Sequence, residues 1–91
     1  MAQVIITFKI MPESVDQDLD LIHKKAEHLI KEFGGEVGRV QKEPVGFGLV
    51  ALKLIFIMSE DLGSTEDLEE KIAALEEVAS VDVVDVRRAI G

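Results

Sequence analysis

A chain of 91 residues, 47% of them hydrophobic, is long enough to bury one core and too short for two. Its 18 acidic and 10 basic residues leave a formal net charge of −8. This argues against nucleic acid as a partner, because phosphate contacts need clustered Lys and Arg. Cysteine is absent, which excludes disulfide scaffolding, thiol catalysis and thiolate metal sites.

The N-terminal apolar run has no basic segment before it and is interrupted by Lys9, the opposite of a secretory leader. No apolar run approaches the roughly 20 residues that span a bilayer, so no membrane partner and a cytoplasmic location are expected. Val4 to Met11 alternates, with Val4, Ile6, Phe8 and Ile10 on one side and Thr7 and Lys9 on the other, which predicts a half-buried strand ended by Pro12. Ser14 or Asp16 is expected to cap a helix from about Val15 to Phe33, whose apolar stripe is Leu19, Ile22, Ala26, Leu29, Ile30 and Phe33. Gly34-Gly35 stops it.

A polar strand is predicted from Glu36 to Glu43, ending at Pro44. Then comes Pro44-Val45-Gly46-Phe47-Gly48-Leu49, a glycine loop between two strands. From Leu49 to Met58 the chain is strongly β, with Leu52, Leu54, Phe56 and Met58 facing one way and Lys53, Ile55 and Ile57 the other. Ser64 with Asp67 has the pattern of a capping box opening a second helix, whose stripe is Leu68, Ile72, Leu75 and Val78. A last strand is predicted from Val81 to about Arg88, with a bulge at Val83-Val84 where alternation breaks.

The order β-α-β-β-α-β predicts an α+β, ferredoxin-like fold: a four-stranded antiparallel sheet with two helices on one face. The other sheet face is mixed, since Ile5, Met11, Ile55 and Ile57 point there beside Thr7, Lys9 and Lys53. Such a face is either ordinary surface or a partner-binding surface.

Catalytic constellations are scarce. His23 and His28 are five residues apart on a helix, so at about 100° per residue they diverge by roughly 140° and cannot chelate one ion. Asp16, Asp18 and Asp20, like Glu66, Asp67, Glu69 and Glu70, fall in predicted first helical turns, where carboxylates suit the macrodipole. The glycine and final glutamate of a calcium loop are missing. Gly46-Phe47-Gly48 lacks the Lys-Ser/Thr pair of a phosphate loop and leads into a strand. Neither metal nor cofactor is expected, and no enzyme chemistry. Two features remain: Phe47, either folded under its own loop or projecting outward, and the adjacent Arg87 and Arg88, which by pattern alone read as a charged strand end.

Those features coincide in one family. Pro44-Val45-Gly46-Phe47-Gly48-Leu49 followed by Ala51-Leu52-Lys53-Leu54 resembles the central motif of the guanine-nucleotide exchange domain of translation elongation factor 1-beta, in its short archaeal form. The similarity takes in the opening Val4-Ile5-Ile6 strand, the acidic start from Ser64 to Glu70 and the closing Ser80-Val81-Asp82-Val83, and so essentially all of residues 1–91. It implies a single exchange domain that promotes GDP release from elongation factor 1-alpha. Phe47, flanked by Gly46 and Gly48, would enter a pocket on the G protein, and a C-terminal cation, Arg88 with Arg87 beside it, would reach toward the magnesium and phosphate region. Eukaryotic members end near a lysine where this chain has Arg88 followed by Ala89-Ile90-Gly91, and their N-terminal partner-binding region has no counterpart here. A monomer is expected.

The competing reading is a small ferredoxin-like regulatory domain that binds an amino acid or similar metabolite as a dimer. It leaves the glycine loop unexplained. An acylphosphatase-like enzyme is disfavoured, because Met11-Pro12-Glu13-Ser14 offers no arginine in a glycine-rich cradle after the first strand.

Overall fold

Residues 2–89 are described by a computed structural model. Strand alternation sets its architecture. In β1 (Gln3–Pro12) Ile6, Phe8 and Ile10 are buried, and in β3 (Leu49–Ser59) Leu52, Leu54, Phe56 and Met58 are buried. The two strands pair antiparallel with Ile6 opposite Phe56, Phe8 opposite Leu54 and Ile10 opposite Leu52, so both apolar sets share one face. The Phe8 and Phe56 rings meet edge to face, centroids 4.9 Å apart at 74°, a geometry that adds about 0.5–1.5 kcal/mol beyond area burial. β2 (Glu36–Gly46) flanks β3 and β4 (Val78–Ala89) flanks β1, giving the order β2-β3-β1-β4. Ile22, Ala26 and Ile30 of α1 (Leu19–Phe33) and Leu68 and Ile72 of α2 (Glu66–Ala73) close the core from the same side. This is the predicted α+β, ferredoxin-like arrangement.

Boundaries differ from expectation for local reasons. α1 starts at Leu19, not Val15: Asp18 is the cap, its carboxylate accepting from the N–H groups of Asp20 and Leu21. Ser14 instead accepts from the N–H of Asp16 in a preceding turn, so only Asp20 of the three aspartates lies in the first helical turn. β2 continues past Pro44 to Gly46, which an edge strand tolerates because alternate N–H groups face solvent. The capping box does not form. Thr65 occupies the cap position without a side-chain bond to the backbone and donates its hydroxyl to Glu69, while Ser64 accepts from the N–H of Glu66. β4 begins at Val78, and the bulge falls as predicted: Val83 pairs with Phe8 and Asp85 with Thr7, leaving Val84 over.

On the open sheet face Lys9 and Lys53 stand directly opposite each other, an arrangement that repels unless something intervenes. Glu43 intervenes, its carboxylate 2.6 Å from Lys53 Nζ and 3.5 Å from Lys9 Nζ. The hydrogen bond and charge of Lys53, helped by Lys9, hold the Glu43 carboxyl below the ordinary value of 4.5. On the helical side Lys25 of α1 donates to both carboxylate oxygens of Glu77, at 3.0 and 2.9 Å, and this hydrogen bond lowers the Glu77 pKa in the same way.

A carboxylate whose folded pKa is depressed adds stability that is present above its unfolded pKa and lost as pH falls through the folded one. Stability is therefore expected to decline below about pH 4.5, and a Glu43→Gln, Glu77→Gln double variant to be less stable at neutral pH with a flatter acid limb. Urea denaturation midpoints from pH 3 to 7 check this (range chosen to bracket ordinary carboxylates, about 4). An acid limb as steep as the parent's would place the sensitivity elsewhere.

Candidate functional site

The ladder between β2 and β3 runs to Gly46 opposite Leu49, leaving Phe47-Gly48 as a two-residue hairpin loop. Both central residues have positive φ, 54° at Phe47 and 79° at Gly48. That is the requirement of a type I′ turn, whose twist matches the flanking strands and whose usual chemistry is Asn-Gly or Asp-Gly. The turn is thus not made by the two glycines around a passive phenylalanine; Phe47 is itself a turn residue. Among the described residues it is the one non-glycine with positive φ, a conformation that costs an ordinary L-residue about 1–2 kcal/mol. Its side chain is 101% exposed. Of the two alternatives left open by the sequence, the ring projects outward.

A second segment reaches the same end of the sheet. The loop between β1 and α1 is tied down where the Glu13 N–H donates to the Glu77 carbonyl at 2.9 Å. It presents Val15, 59% exposed, against the hairpin: a Cβ placed on Gly48 would sit 3.4 Å from Val15 Cγ1. Between loop and hairpin lies a shallow cleft of about 70 Å³, lined by Pro12, Ser14, Val15, Leu19, Gly48 and Val50 among others.

Arg87 and Arg88 are not part of this tip. Arg87 pairs with Ile5 and Arg88 with Val4, at the opposite end of β1. From Leu49 at the tip to Met58, which is opposite Val4, β3 advances nine residues, about 30 Å along the strand. Nor do the two arginines form one cationic patch, because consecutive strand residues face opposite ways. Arg87 lies on the open face against Asp85, at 3.0 Å. Arg88 lies on the helical side, its guanidinium forked onto Glu60 at 2.9 and 3.0 Å. Beside it a wider cleft of about 280 Å³ has Val4, Ile6, Met58 and Val86 among its walls.

The structure thus brings together Gly46, Phe47 and Gly48 and sets Arg87 and Arg88 apart from them. The sequence pattern singles out neither Val15, which reads as the start of a helix, nor Glu60. The signal for Val15 was its place off the apolar stripe of α1. Glu60 had none, since it meets Arg88 from 28 positions away. His23 and His28 each lie against the glutamate four residues on, Glu27 and Glu32. Among the described residues no three His, Cys, Asp or Glu side chains gather as for a metal ion.

An uncovered ring thus stands on a strained turn at the end of a ferredoxin-like sheet. Residues 5–89 match the model of the EF-1 guanine nucleotide exchange domain, and the chain belongs to that family. Over 88 residues it is 47% identical to elongation factor 1-beta of Methanobrevibacter smithii, covering 97% of this chain and 98% of that one. The elongation factor 1-beta of Methanococcoides burtonii is 43% identical over 94 residues, covering 99% of this chain and all of the relative. Among solved structures, the C-terminal domain of the MgtC protein from Mycobacterium tuberculosis superposes with a TM-score of 0.64 at 13% identity, covering 97% of this chain and 88% of that one. This last likeness is one of fold.

Phe47→Asn is expected to raise the stability of the isolated protein by about 1 kcal/mol, because Asn-Gly suits the turn that Phe-Gly strains. Gly48→Ala is expected to lower it by about 1–2 kcal/mol through the same positive φ. Equilibrium denaturation measures both, and destabilisation by Phe47→Asn would show that the ring supports the fold.

Proposed function

We propose that the chain promotes GDP release on elongation factor 1-alpha, acting by protein–protein contact without making or breaking covalent bonds. The observation that carries this reading is Phe47: in a member of an exchange-domain family, a fully exposed ring is held where the backbone disfavours it. Strain that the fold does not need points to a use outside the fold.

The two ends of the sheet then have separate work. At the tip, Phe47, with Gly46 and Gly48 shaping its turn, enters a pocket on the G protein as an aromatic anchor, the kind of group that carries much of an interface's energy. About 30 Å away, Arg88 reaches toward the magnesium and phosphate region, where GDP is held by the metal ion and cradled phosphates. A cation placed there competes with the magnesium and weakens the nucleotide's contacts. Arg88 leaves Glu60 to do so, and an exposed ion pair of that kind is worth only about 0–1 kcal/mol. Arg87 faces the other side of the sheet and supports the local charge. Residues 1–91 act as one exchange domain, as a monomer in the cytoplasm, with no nucleic acid, membrane or cofactor contact.

Release of fluorescent GDP from elongation factor 1-alpha, chased with unlabelled nucleotide, tests the proposal. The parent is expected to accelerate release, and no acceleration would end it. Phe47→Ala is expected to raise the concentration for half-maximal effect about tenfold or more. Arg88→Ala is expected to lower the maximal rate with a smaller effect on that concentration. Two variants indistinguishable from the parent would remove both residue assignments.

A further inference from the structure

Phe47 is not alone at its end of the sheet. Val15 projects from the neighbouring loop, more than half exposed, and abuts the hairpin over Gly48. Its loop is not a slack connection: Glu13 is hydrogen-bonded to Glu77, the Gln17 N–H reaches the Ser14 carbonyl, and Asp18 starts α1. The valine is therefore presented at a set height beside the turn that carries the ring, at little entropic cost on binding. Other exposed valines, Val83, Val84 and Val86, line the edge strand β4 rather than the tip. A single exposed aliphatic side chain needs no explanation, but this one adjoins the Gly48 side of the Phe47 turn and lines a cleft with Pro12, Leu19 and Val50, with Ser14 and Gln17 as its polar part. Asp16 and Asp18 are exposed in the same loop, while Asp20 pairs with Lys42 at 3.6 Å, and the two loop carboxylates suit basic groups on whatever covers it.

We infer that the tip is a two-pronged anchor: Phe47 enters the G protein while Val15 and the cleft over Gly48 receive an apolar side chain from the same G-protein surface. This rests on the reading that the tip meets elongation factor 1-alpha and adds to it a second contact, from a different segment of the chain. The acidic surround places basic groups of the partner beside the apolar contact. Val15 thereby gives the tip a second point of contact beside the turn.

The test is GDP release from elongation factor 1-alpha as a function of the concentration of this chain, for the parent, Val15→Ser, Phe47→Ala and Val84→Ser. Val15→Ser is expected to raise the half-maximal concentration about three- to tenfold, as loss of a partly buried valine contact implies, while leaving the maximal rate and the thermal unfolding midpoint unchanged. Val84→Ser is expected to match the parent. If Val15→Ser lowers the unfolding midpoint, Val15→Thr, which keeps the shape and adds a hydroxyl, takes its place with the same expectation. An unchanged half-maximal concentration for the Val15 variant, alongside a raised one for Phe47→Ala, overturns the inference and leaves the single-ring reading standing. No change for either removes the tip as the contact. An equal effect from Val84→Ser also overturns the inference, since any exposed valine would then serve.

Discussion

Ile6 against Phe56, Phe8 against Leu54 and Ile10 against Leu52 hold β1 and β3 together at the centre of the sheet, and the positions of the outward-facing groups follow from that register. A slip of one residue would put the two apolar sets on opposite faces of the sheet, so the pairing is strongly specified. With β3 fixed, the hairpin that begins it must project beyond the C-terminal end of β1. With β1 fixed, the closing strand must finish beside the N-terminal end of β1. The tip and the arginines are at opposite ends because antiparallel neighbours run opposite ways.

That geometry keeps the Phe47 turn and the two arginines at separate ends of the sheet. The two ends stand about 30 Å apart along the strand, in an elongated body whose principal extents are 42 × 21 × 18 Å. A type I′ hairpin with Asn-Gly would be easier to fold, and the phenylalanine in its place gives up some stability to the ring's exposure.

Charge is distributed as unevenly as shape. Between Glu60 and Glu77 there are eight acidic residues and one lysine, so the layer containing α2 carries most of the negative excess. The open sheet face is closer to balance, with Lys9 and Lys53 sharing Glu43. Arg88 stands where the acidic layer meets the sheet, held by Glu60 from that layer. A guanidinium kept in this setting is oriented by a planar two-point contact and still reaches solvent.

Much of this molecule is written in its local pattern. Period-two alternation in Val4–Met11 and Leu49–Met58 identified the central strands and their buried faces, and the break at Val83-Val84 marked the bulge, because side-chain direction along a strand is a local property. The glycines around Phe47 likewise marked a turn. Pairing and long-range contact were not legible in that way. Pro44 reads as a strand end until β2 is known to be an edge, and Val15 reads as helix until Asp18 takes the cap. Outward projection of the Phe47 ring, the grouping of Val15 with it, and the capture of Arg88 by Glu60 were decided only by tertiary structure. Each joins residues from separate segments or depends on what the rest of the chain leaves uncovered, and local sequence carries no record of either.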